Sequence, residues 1–149
     1  MKRPWMLGLL ALLALAACTS QAPRIKTSGS LRILSVQPDV EAGCPVRAGD
    51  WMALKGNAFG TPEDWGDNGP NALLFPPEPG LAPQRVELTK SSDPATLLFV
   101  VPAGAQSGTL RLHVEGIGDA EIPIEVQSGV GSSLAIPGCE LPPPPEPAE

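Results

Sequence analysis

An all-β fold, a β-sandwich of about seven short strands, is what this 149-residue chain predicts. Three observations carry that expectation. Between residues 31 and 127 the chain is a series of short apolar runs, each closed by Gly, Pro, Asn or Asp. One run, 109–115, alternates cleanly between apolar and polar residues, as a strand with one buried side does. No stretch of that region shows the 3.6-residue period of an amphipathic helix.

In chain order, residues 31–36 (LRILSV) set Leu31 and Ile33 against Arg32 and Leu34. Residues 51–55 (WMALK) form a second run, closed by Gly56, and residues 72–75 (ALLF) a third, followed by a proline-rich turn over 76–83. Residues 84–88 (QRVEL) are the fourth. Residues 96–101 (TLLFVV) are the fifth, stopped by Pro102, which has no N–H to give to a ladder. Leu97, Phe99 and Val101 face the core of this fifth run, but Leu98 and Val100 make its other face apolar too. The chain's own C-terminal segment is the expected cover for that face, ahead of a partner. In the sixth run Leu110, Leu112 and Val114 share one face, and Arg111, His113 and Glu115 the other. Residues 120–127 (AEIPIEVQ) are the seventh, with Ile122, Ile124 and Val126 pointing one way and Pro123 suiting an edge position.

Ahead of these runs, Lys2 and Arg3 precede an uncharged stretch from Pro4 to Ala17. Its 14 residues fall short of the roughly 20 that cross a bilayer. The stretch ends in Leu15-Ala16-Ala17-Cys18. That ending resembles a bacterial lipobox. The resemblance implies a diacylglycerol thioether at Cys18, cleavage before it, usually an N-acyl chain as well, and a protein held on the outer side of a membrane. An ordinary signal peptide cut after Ala17 and an uncleaved anchor are the other readings of the same residues. Two or more acyl chains give durable attachment, at about 0.8 kcal/mol per buried methylene. Thr19 after the cysteine, rather than Asp, leans toward an outer membrane by resemblance to lipoprotein sorting rules.

Loss of residues 1–17 leaves 132 residues with eight Lys/Arg against 16 Asp/Glu, a charge of −8. Such an acidic surface argues against nucleic acid and against electrostatic docking on anionic lipid. The length suits one domain. The chain divides into a signal peptide at 1–17, a polar tether at 18–30, the sandwich at 31–127 and a C-terminal segment at 128–149. That segment is Gly/Ser-rich, then carries Pro142–Pro145. It reads as a solvated extended end, with a ligand for a proline-recognising groove as the alternative.

Three landmarks resemble the IPT/TIG domain, an immunoglobulin-like module. Ile33-Leu34-Ser35-Val36-Gln37-Pro38 is similar to the family's opening I-x-S-x-x-P strand. Met52 to Gly60 (MALKGNAFG) is similar to its V-x-I-x-G-x-x-F-G. Leu97 to Pro102, with Gly108 and a β-rich run after it, is similar to its I-x-v-x-v-P stretch. The resemblance covers roughly 31–127 and implies an immunoglobulin-like sandwich. Gly56 and Gly60 flank Phe59, so a tight turn would fold the ring over the open end of the sandwich. The loops at 39–50 and 61–70 look enlarged.

Cysteine use is consistent with an exported protein. Besides Cys18 only Cys44 and Cys139 are present, which leaves one intramolecular pairing, two free thiols or an intermolecular bridge. The IPT/TIG resemblance favours Cys44–Cys139, since the first and last strands of that fold run roughly parallel and each cysteine follows one of them.

Catalytic chemistry is not apparent. His113 is the one histidine and nothing marks a nucleophile beside it; no zinc pattern and no phosphate loop is present. The loop 61–70 offers Glu63, Asp64, Asp67 and Asn68 as hard oxygen donors, but without EF-hand spacing, so calcium is not expected. Trp65 in that loop is a candidate contact residue, with Asp64 and Asp67 setting polar specificity. Packing of Trp51 and Trp65 under the loops is the alternative. The expectation is a non-enzymatic, lipid-anchored envelope module, without cofactor, that binds or braces an envelope protein or glycan. A carbohydrate-contacting accessory to a separate enzyme and a plain spacer are the alternatives.

Overall fold

The structure is a computed structural model and describes residues 24–86, 95–128 and 136–145. The signal peptide, Cys18 and the first part of the tether lie outside the described residues. So do 87–94, 129–135 and 146–149.

Ten strands are present among the described residues. They are β1 (Lys26–Thr27), β2 (Ile33–Gln37), β3 (Val46–Arg47), β4 (Trp51–Gly56) and β5 (Ala72–Phe75), then β6 (Gln84–Arg85), β7 (Thr96–Val100), β8 (Gly108–Val114), β9 (Gly118–Ile124) and β10 (Val126–Gln127). They form a five-stranded sheet in the order β1-β9-β8-β5-β6 and a three-stranded sheet in the order β2-β4-β7. A short parallel pair, β10-β3, forms a separate two-stranded sheet. Each of the seven expected runs contains a strand. The higher count comes from β1, from β3 and from a break at Glu125 that divides the last run.

Alternation explains which side of each strand is inside. Met52 and Leu54 of β4, Leu97 and Phe99 of β7, and Val101 just beyond β7, are buried on one layer. Leu73 and Phe75 of β5, Leu110, Leu112 and Val114 of β8, and Ala120, Ile122 and Ile124 of β9 are buried on the other. The layers meet in one core, where the rings of Phe75 and Phe99 pack edge to face with centroids 6.0 Å apart. The chain is an all-β sandwich, as the sequence predicts.

Several boundaries differ from expectation. Residues 26–30, assigned above to the tether, are fastened to the domain. Lys26 and Thr27 pair antiparallel with Glu121 and Ala120, and the N–H groups of Ser28 and Ser30 donate to the Asp119 and Ile117 carbonyls. The fourth run is a strand only at Gln84–Arg85; Val86 is buried beyond it. Pro123 lies past the stretch of β9 that β1 covers, so its missing N–H costs no ladder bond on that side. Leu98 and Val100 are half-buried. Pro142 is buried, so the tail packs against protein rather than standing wholly in solvent.

Cys44 and Cys139 form a disulfide with Cα atoms 5.5 Å apart. The parallel pair is β3 with β10, Val46 opposite Val126, whereas the expectation rested on the first run, 31–36, which is β2 and pairs with β4. Cys44 precedes β3 and Cys139 follows β10, so the bridge ties the C-terminal segment to the start of β3.

Candidate functional site

The loop 61–70 is the expected contact surface, and its construction starts at the end of β4. A Cβ on Gly56 would lie 2.5 Å from the tip of the Phe59 ring and 2.6 Å from the Arg32 carbonyl oxygen. Only glycine leaves that space. Asn57 ties the turn to the chain before β2, accepting from the Arg32 N–H at 2.9 Å and donating to the Ser30 carbonyl at 2.8 Å. Phe59 is then fully buried. Gly60 adopts φ +76°, the left-handed region that side chains avoid, and the chain turns into a 3₁₀ turn at Pro62–Trp65.

Trp65 is 3 % exposed. Its indole Nε1–H donates to the Phe59 carbonyl at 2.6 Å, and its ring meets Phe59 edge to face at 6.4 Å. The contact role of Trp65 is therefore corrected, and the alternative, packing of Trp65 under the loop, is what the structure shows. The indole is spent inside the domain, where its N–H has the acceptor that a buried tryptophan needs. The carboxylate of Asp64 is also used locally, accepting from the Thr61 N–H at 2.8 Å and its hydroxyl at 3.0 Å. Asp67 is exposed, and its carbonyl accepts from Arg85 at 3.3 Å. Among the described residues no group of three or more His, Cys, Asp or Glu side chains is placed to hold a metal ion.

Two residues that the sequence did not single out hold this loop. The Arg85 guanidinium reaches the carbonyls of Gly66 at 2.8 Å, Gly69 at 3.0 Å and Asn71 at 2.6 Å. Asn71 is buried, donates to the Phe59 carbonyl at 3.3 Å and accepts from the Glu115 N–H at 2.9 Å. Neither carries a sequence signal, because their partners are backbone atoms and any loop supplies those. The result is a rigid loop rather than an adaptable one.

The second polar constellation lies on the outer face of the five-stranded sheet. Ala72, His113 and Asp119 stand side by side on β5, β8 and β9. The exposed His113 ring engages Asp119 through Nδ1 at 2.6 Å and Glu115 through Nε2 at 3.0 Å. These two hydrogen bonds, that to Glu115 foremost, raise the imidazole pKa above its ordinary 6.5. With both nitrogens engaged, neither is free to activate a hydroxyl or thiol in this geometry. A group whose folded pKa is raised stabilises the fold fully below its unfolded pKa, and that contribution fades as pH rises through the folded value. Stability from His113 is thus expected to be fully present below about pH 6.5 and lost as pH rises through the raised pKa of the folded state. An NMR titration of the ring should give a midpoint above 6.5, and Glu115→Gln should lower it. A midpoint at or below 6.5 would contradict the bonding seen here.

Comparison of the chain with known proteins finds no matching family model, no matching curated protein and no matching solved structure.

Proposed function

We propose that this chain is a lipid-anchored, non-catalytic module of the bacterial cell envelope, attached through Cys18, that binds or braces a protein component of the envelope. The observation that carries the reading is the Leu15-Ala16-Ala17-Cys18 ending, with a folded domain close behind it. The first strand begins at Lys26, eight residues after Cys18. At roughly 3.5 Å per extended residue the domain stays within about 28 Å of the anchor. A disulfide that closes the domain supports an oxidising compartment. The β2-β4-β7 and β9-β8-β5 layers support an IPT/TIG-like module, a fold whose surfaces serve contact more than chemistry. A glycan is the less favoured ligand, because burial of Trp65 takes away one of the two aromatics that were available to stack on sugars.

Intact mass of the protein extracted from membranes tests the anchor. The expected product starts at Cys18 and carries a diacylglycerol and an acyl chain. Cys18→Ser should lose the lipid and leave the membrane fraction or remain unprocessed. A mature N-terminus at Cys18 without lipid would refute the anchor. Crosslinking in intact cells, followed by mass spectrometry of the captured species, then tests the binding role. Recovery of no envelope protein would refute it.

A further inference from the structure

We propose that the outer edge of β2 is a self-association surface, on which a second copy of this chain pairs antiparallel and joins two three-stranded sheets edge to edge. This inference stands on the domain alone and does not depend on the lipid anchor.

β2 ends the sheet order β2-β4-β7, and among the described residues its far side has no strand partner. Natural edge strands are usually blunted by shortness, lysine, proline, a bulge, an inward charge or a covering segment. Ile33–Gln37 contains no charged residue and no proline. Its one irregularity is a bulge between Ile33 and Ser35, and Leu34 at that bulge is 74 % exposed. Leu34 is the most exposed large hydrophobic side chain among the described residues.

A groove of about 320 Å³ runs along this edge, with Ile25 and Thr27 among its walls. Its lining is charged in opposite senses at the two ends of the strand. Arg32 precedes β2, and Asp39 and Glu41 follow it. Asp39 and Glu41 each commit one carboxylate oxygen locally, to the N–H groups of Ala42 and Ile25. The second oxygen of each has no partner among the described residues.

That charge order selects the occupant. An antiparallel copy related by a two-fold axis lays its own Arg32 end against Asp39 and Glu41, and the contact occurs twice because the interface is isologous. A parallel copy would set like charges together. A strand from another protein would need the same apolar centre and the same charge order, which a second copy supplies by symmetry. A five-residue strand buries less than the roughly 800 Å² per partner of a stable complex, so the dimer is expected to be weak and concentration-dependent.

Single cysteines introduced into the purified full chain carrying Cys18→Ser, so that the introduced thiol is not in competition with Cys18, test this. Ser35→Cys or Gln37→Cys, oxidised with copper phenanthroline, should give a reducible dimer. Glu121→Cys, on the exposed face of the other sheet, should not. In the Ser35→Cys chain, Arg32→Glu should lower dimer yield by about tenfold, and adding Glu41→Arg should restore it. Retention of the Cys44–Cys139 bridge checks that each variant has folded. Dimer yields at both β2 positions no greater than at Glu121→Cys would overturn the proposal. Failure of Glu41→Arg to rescue a folded Arg32→Glu chain would overturn the antiparallel arrangement.

Discussion

Phe59→Ala is expected to lower the unfolding free energy of the domain by about 3–5 kcal/mol, as for other buried aromatic truncations. The ring is fully buried and lies against the space above Gly56 and the edge of Trp65. The substitution leaves the Phe59 carbonyl in place, so the hydrogen bonds from Trp65 and Asn71 are not deleted with the side chain. What is lost is packing, and the loss divides into a transfer part and a cavity part. The cavity part should be large. The surrounding loop is fixed by Asn71 and Arg85 and has little freedom to collapse into the space. Urea titration of the wild type and the variant measures the change, with an unchanged slope showing that it is one of stability. A change below about 1 kcal/mol would mean that the ring is not part of the core.

The turn around Phe59 was legible in the sequence, whereas for Trp65 the sequence left contact and packing both open. The reason is physical. Gly56, Phe59 and Gly60 act through their own backbone and side-chain properties, so their spacing predicts the turn. Trp65 is buried because a carbonyl six residues back accepts its N–H, and because Arg85, from another strand, closes the loop over it. That arrangement leaves no local periodicity. The same distinction separates the strands. β4, β7, β8 and β9 bury one face against a second layer, so their sequences alternate or are richly apolar. β1 and β3 are two residues long and are held by backbone bonds to β9 and β10. Two residues cannot show a period of two. A polar stretch such as 18–30 therefore reads as tether even where its last part is a strand.

The disulfide joins the C-terminal tail to the segment between the 3₁₀ turn Val40–Ala42 and β3. Among the described residues, every buried member of the hydrophobic core lies between Leu31 and Ile124, upstream of the tail that carries Cys139. The double variant Cys44→Ser, Cys139→Ser is therefore expected to fold and to keep its strands, but to be less stable. The bridge spans a sequence separation of 95 residues. Restricting an unfolded loop of that size stabilises the native state by at most about 4–5 kcal/mol in a chain-entropy model. Engineered and natural bridges often deliver less, so a loss of about 2–4 kcal/mol is the expected result. Cys44 itself is buried beside the 3₁₀ turn Val40–Ala42, and its partner holds the tail segment that includes the buried Pro142. Loss of the bridge should thus have a local signature as well as a global one. Amide exchange at residues 136–141 should rise toward the rate of an unstructured chain, while β8 and β9 keep their protection. Equal urea midpoints for the oxidised protein and the double variant would show that the bridge adds nothing to the fold. Simultaneous loss of protection in β8 and β9 under native conditions would show that the tail is part of the folding unit, and that the core between Leu31 and Ile124 does not stand alone.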